Sequence, residues 1–264
     1  MQVWSLHNTQ WRDGPAIRRP NQSQGKMTET VEILIFAPHP DDAEIGMSGS
    51  ILLWQREGAR VGIVDLTGGE LGTKGDPETR VREAEEASKR LGLAYRNCLN
   101  LGDGRLADND ANRERVADQI RMLRPRAIFV TPEFDRHPDH EAACKLIKSA
   151  MFLARLPKYD GDRNAHSVNA WFSYFVHDMS RVSFVVDITG VWEQKVHVLK
   201  AYESQFVNPT MPKDYKYIGT SDYLRQIEAY DQYLGAKIGV KYGEGYFAPA
   251  PLKVKNILDV APGE

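Results

Sequence analysis

Cysteine is scarce in this sequence of 264 residues: only Cys98 and Cys144 are present. Two thiols in a chain of this size exclude a disulfide framework and fit a reducing, cytoplasmic setting. No run approaches the ~18 apolar residues that span a bilayer, so no membrane partner is expected. Charge of one sign is not in excess either. The formal net charge is −2, which gives no electrostatic footprint for a nucleic acid. The phosphate-cradling glycine patterns are missing too. The first strand-like run leads into no G-x-G-x-x-G, and Gly68, Gly69, Gly72 and Gly75 do not have P-loop spacing. That glycine stretch reads as a flexible rim over a site. Residues 1–26 lack the apolar core of a secretory signal and read as a disordered leader. A single domain is expected from 27 to 264.

What is present is an alternation of strand-like and helix-like runs. Strands are expected at 31–37, 60–66, 94–101 and 127–131, with helices at 44–57, 77–92, 110–123 and 139–155. This order, with short links, predicts an α/β, Rossmann-like, mostly parallel sheet flanked by helices. Beyond about 167 the pattern changes to strands at 168–176 and 183–188 and helices at 189–204 and 221–236. These read as a C-terminal elaboration. Parallel sheets of this kind bind ligands at the carboxyl ends of their strands.

Two motifs stand at such ends. The first is His39-Pro-Asp41-Asp42-Ala-Glu44-Ile-Gly46 and the second is Asp135-Arg-His137-Pro-Asp139-His140. His39 and Asp42 lie three apart at a turn into a helix, where both can converge on a zinc ion. His140 completes a His–Asp–His set that leaves a position open for water, the pattern of a catalytic zinc. Asp41 must point differently from Asp42 and is placed as a base beside the metal. Glu44 is placed to hold a ligand imidazole from behind. His137 and Asp139 make a proton-transfer pair. Such a metal brings the pKa of bound water down to about 7, and an aspartate can take its proton during attack on an amide carbonyl. Taken singly, either segment is an ordinary polar turn; together, both at strand ends, they point to hydrolysis. The competing reading, a non-catalytic sugar- or nucleotide-binding module, does not require the His/Asp set. The ligand set admits iron or cobalt as well as zinc.

These paired blocks resemble the LmbE-like, or PIG-L, family of zinc deacetylases. Leu66-Thr67, the Arg80-x-x-Glu83 step and Leu101-Gly-Asp103 extend the likeness. The segments 201–206 and 239–247 resemble the bacillithiol-pathway branch, which deacetylates N-acetylglucosaminyl malate, whereas 207–220 departs from it. The resemblance implies zinc on His39, Asp42 and His140, with Asp41 as general base. It implies His137, supported by Asp139, as the cationic or acid partner. Arg80 and Asp103 would touch substrate, and Tyr223 would donate to the oxyanion. Each of these three has a plainer reading: a solvated helix face for Arg80, a loop brace for Asp103, and packing for Tyr223. The implied partners are a small amino-sugar conjugate and further copies of the chain, in a homo-oligomer of up to six. Other acetylated sugars, namely inositol conjugates, chitooligosaccharides and glycolipid precursors, fit the same chemistry.

Overall fold

The computed structural model describes residues 30–159, 163–177, 181–207 and 223–254. The expected leader and most of the loop 207–220 lie outside the described residues. Seven strands form one sheet: β1 (Ile33–Ala37), β2 (Val61–Asp65), β3 (Tyr95–Cys98), β4 (Ala127–Val130), β5 (Ala170–Tyr174), β6 (Phe184–Asp187) and β7 (Gly243–Phe247). Their spatial order is β3-β2-β1-β4-β5-β7-β6. β1 to β5 pair in parallel, and β7 runs antiparallel to both β5 and β6. The helices are α1 (Asp42–Arg56), α2 (Pro77–Leu91), α3 (Asp110–Leu123), α4 (Pro138–Ala154), α5 (Trp192–Leu199), α6 (Glu203–Phe206) and α7 (Tyr223–Lys237). No helix among the described residues is long and apolar enough to cross a membrane.

β1 is central and covered on both faces, so its residues are apolar without alternation. Side chains still alternate in direction along it. Ile35 and Ala37 enter one buried cluster with α1, α2 and α5, while Leu34 and Phe36 enter the other with α3 and α4. Phe36 is fully buried, and burial of such a side chain contributes roughly 1.5–3 kcal/mol. The helix boundaries follow local chemistry. Asp76 accepts the Thr79 amide at 2.7 Å ahead of Pro77, and Gly92 ends α2 at φ 70°. Gly46 lets α1 lie against β5: a Cβ there would sit 2.6 Å from the Tyr174 ring and 2.8 Å from the Phe175 carbonyl oxygen.

Two features differ from expectation. The single helix expected over 189–204 is instead a short 3-10 turn, then α5, then α6. The chain breaks at Tyr202 because that buried ring turns inward, where its hydroxyl meets Glu44 and Arg96. The strand β7 has no counterpart among the expected strands. Its sequence, Gly-Glu-Gly-Tyr-Phe, has too little apolar content to read as a strand, and it forms because β5 and β6 offer their edges to it.

Candidate metal and active site

The loops after β1, β2, β3 and β4 meet at the carboxyl edge of the sheet. His39 follows β1 and His140 lies in the first turn of α4. Between them Asp41 adopts φ 103°, a left-handed conformation that is strained for a residue with a Cβ. This kink sends the two adjacent aspartates apart. The Asp42 carboxylate accepts the His39 amide at 2.9 Å. Its Oδ2 then lies 3.1 Å from His39 Nδ1 and 3.2 Å from His140 Nε2. Asp41 turns instead to Arg80, whose Nη1 donates to it at 3.2 Å and whose Nη2 donates to the Pro40 carbonyl. The structure thus gathers the expected ligand atoms and separates the expected base from them.

His137 caps α4. Its Nδ1 accepts the Asp139 amide at 3.2 Å, while its own amide donates to Asp135. Its ring sits edge-on to His39 at 4.7 Å. One nitrogen each from His39, His137 and His140 lie within 4.8 Å of one another, which makes this a candidate metal cluster.

The outer carboxylates are not those expected. Glu44 does not hold a ligand imidazole; its Oε1 takes Arg96 and the Tyr202 hydroxyl. Asp139 does not support His137 through its carboxylate. That carboxylate lies 3.3 Å from His39 Nε2 and accepts the Gly104 amide at 2.7 Å. Asp103, expected on the substrate, has Oδ1 at 3.1 Å from His39 Nε2, and its Oδ2 accepts the Leu71 amide. The glycine stretch is braced by the same loop, since Glu70 accepts from both Gly68 and Asp103. Arg80 is buried on Asp41, with its guanidinium over the Tyr202 ring, rather than exposed toward a ligand. Tyr223 opens α7 with its ring stacked on Phe206.

Two residues escape sequence reasoning. Asp135 Oδ2 lies 3.1 Å from His140 Nδ1 and so plays the part assigned to Glu44. Its signal is its place at the head of the second motif. His177, just past β5, stacks on His140 at 5.2 Å. Its signal is a polar residue at the carboxyl edge of a strand.

Negative charge is in surplus here. Burial lowers the His39 pKa, but its hydrogen bonds to Asp103, Asp139 and Asp42 outweigh that and push it up to about 12. His140 likewise rises to about 9: burial opposes the change, and Asp42 and Asp135 drive it. Burial works to raise Asp42, yet His140 and His39 hold it well below the usual carboxylate range. Burial pushes Asp41 up to about 6 against the pull of Arg80. His137 is lowered by burial and by its imidazole neighbours. Carboxylates backing two imidazoles that converge with a third carboxylate suit a divalent cation, because each ligand nitrogen has its partner behind it.

Two imidazoles and one carboxylate at the carboxyl edge of the sheet, with a second carboxylate alongside, are donors that could hold a metal ion. The family profile described as "GlcNAc-PI de-N-acetylase" (PIG-L) matches residues 34–151. The chain is 31% identical over 231 residues to the diacetylchitobiose deacetylase of Thermococcus kodakarensis, covering 81% of each chain. It is 27% identical to a probable N-acetyl-α-D-glucosaminyl L-malate deacetylase 2 of Bacillus subtilis, over 66% of this chain and 82% of that one. The crystal structure of a conserved protein of Thermus thermophilus superposes with a TM-score of 0.77 at 38% identity, covering 85% of this chain and 97% of that one. The chain belongs to the PIG-L, or LmbE-like, family. It is a hydrolase of carbon–nitrogen amide bonds.

Proposed function

We propose that this enzyme removes the acetyl group from the 2-acetamido group of an N-acetylglucosamine conjugate, with zinc held by His39, Asp42 and His140. The observation that carries the reading is Asp42 Oδ2 at 3.1 and 3.2 Å from the two imidazoles, with Asp41 turned aside by its left-handed backbone. A divalent cation bound there supplies a Lewis acid that polarises the acetyl carbonyl and acidifies the attacking water.

The remaining steps belong to side chains. Asp41 takes the proton of the attacking water and returns it to the departing amine. Arg80 holds Asp41 in place through Nη1. His137 acts as a neutral donor rather than the expected cation. Its Nδ1 is occupied by the Asp139 amide, so its proton lies on Nε2, free to meet the oxyanion. The cluster Asp103, Asp139 and Asp135 keeps both ligand rings oriented.

Two conjugates are the first to test. The malate conjugate is supported by the segments 201–206 and 239–247, and by exposed Arg136 and Arg181 on the loops after β4 and β5, which suit a carboxylate. Diacetylchitobiose is supported by the relative at 31% identity. Amine release by zinc-loaded protein from these two, from the inositol conjugate and from free N-acetylglucosamine tests the proposal. Turnover of at least one conjugate above the free sugar is expected, because remote contacts raise kcat as well as lowering KM. Zinc-loaded protein that released amine from none of them would overturn it.

A further inference from the structure

We infer that His177 is a positioning residue that fixes the ring plane of the metal ligand His140. The inference rests on reading His39, Asp42 and His140 as a metal site. His140 has a carboxylate oxygen near each ring nitrogen, Asp42 at 3.2 Å from Nε2 and Asp135 at 3.1 Å from Nδ1. Two contacts at the ring nitrogens do not stop the ring from tilting about the line that joins them. Only groups on its faces do that. His137 covers one contact at 5.0 Å and 28°, and His177 makes another at 5.2 Å and 8°, nearly parallel.

His177 is itself firmly placed. It follows Tyr174, Phe175 and Val176, all buried at the end of β5. Its Nδ1 lies 3.3 Å from Arg136 Nη2. A guanidinium only donates, so Nδ1 accepts and the His177 ring is neutral with its proton on Nε2. A neutral ring beside the ligand adds no repulsion toward a cation.

A direct ligand role for His177 fits less well, although nitrogens of His140 and His177 and an oxygen of Asp135 lie within 4.8 Å of one another. Parallel rings do not aim their lone pairs at one point, and the Arg136 guanidinium beside His177 opposes a cation there. The ring therefore acts through His140.

The test is zinc affinity by chelator competition in the full chain, alongside the visible spectrum of the cobalt-loaded protein. Loss of a group that orients a metal ligand typically costs about 10–100-fold in affinity. His177→Ala should weaken zinc by that factor and shift the cobalt bands. His177→Phe, which keeps an aromatic face, should stay within about threefold of the native protein and keep its spectrum. His177→Gln, which keeps an acceptor for Arg136 but no ring, should behave as the alanine variant does. Thermal unfolding of the chelated proteins checks that each variant folds. The inference fails if Ala or Gln binds zinc within about threefold of native, or if folded Phe is as weak as Ala. Failure of the native protein to bind a divalent ion at all would instead overturn the metal-site reading.

Discussion

Two of the buried clusters of charged side chains differ in the kind of positive group they hold. At the carboxyl edge, Asp42, Asp103, Asp135 and Asp139 surround His39 and His140, and the nearby Arg80 is spent on Asp41 and Pro40. In the other cluster, Lys195 Nζ lies 2.8 Å from both Asp231 Oδ2 and Glu244 Oε1. Glu244 also accepts the amides of Gly49 and Ser50 and the hydroxyl of Tyr246. The second cluster carries its own cation, and it ties α5, α7, β7 and α1 together. One lysine faces two carboxylates, so burial pushes Asp231 up to about 7 although Lys195 opposes the change. In the first cluster the carboxylates rest on the imidazoles of His39 and His140, whose nitrogens can bind a metal ion in place of a proton. Burial and charge alone do not separate a structural cluster from a ligand site; the type of positive partner does, since an imidazole can lose its proton and bind a metal.

The strongest way to break this contrast is to remove a ligand. His39→Ala and His140→Ala should each lose most bound metal, measured by elemental analysis. Amide hydrolysis should fall by at least about 10²–10³. Full metal retention in both would erase the distinction. Separating the adjacent aspartates sharpens it: Asp41→Asn should keep its metal while kcat drops about 10²–10⁴, the usual cost of a lost general base. Asp42→Asn should lose metal, and the opposite pattern would invert the two roles.

In the other cluster, Lys195→Met leaves Glu244 buried without its cation. Denaturant unfolding should show a loss of about 3–5 kcal/mol. Zinc affinity of the folded variant should not change, and a tenfold drop would mean that the two regions are coupled. The smallest effect expected is a pH dependence. Asp231 titrates near 7 when folded and near ~3.9 when unfolded. Across that window the folded state holds more protons, so the stability present below about pH 4 declines as pH rises toward 7. The decline is at most about 1.4 kcal/mol for each pH unit. Asp231→Asn should flatten it, seen by comparing urea unfolding at about pH 5 and about pH 8; an equal slope in both proteins would remove Asp231 as its source.

Much of the site was legible because its key residues are near neighbours in sequence at strand ends. His39 and Asp42 meet across a single turn, and that turn also forces Asp41 away. The assignments that failed are those in which a side chain reaches another element. Glu44 is taken by Arg96 of β3 and by Tyr202. Asp139 bypasses the nearby His137 for His39, a hundred positions earlier. The strand β7 and the break at Tyr202 were hidden for the same reason, since both are stabilised by groups distant in the chain.

The sequence by itself determined the parallel strand–helix order, the carboxyl-edge position of both motifs, and the residue types that converge there. Periodicity and short-range spacing encode those features, and they act within a few residues. Tertiary pairing, not local spacing, set which carboxylates stand behind His39. β1 lies between β2 and β4, with β3 beyond β2. The loop after β3 therefore brings Asp103 to His39, and the start of α4 brings Asp139 to it, whereas Asp135 meets His140 within one loop and helix start. The carboxylates behind His39 come near it only once strands remote in sequence pair side by side.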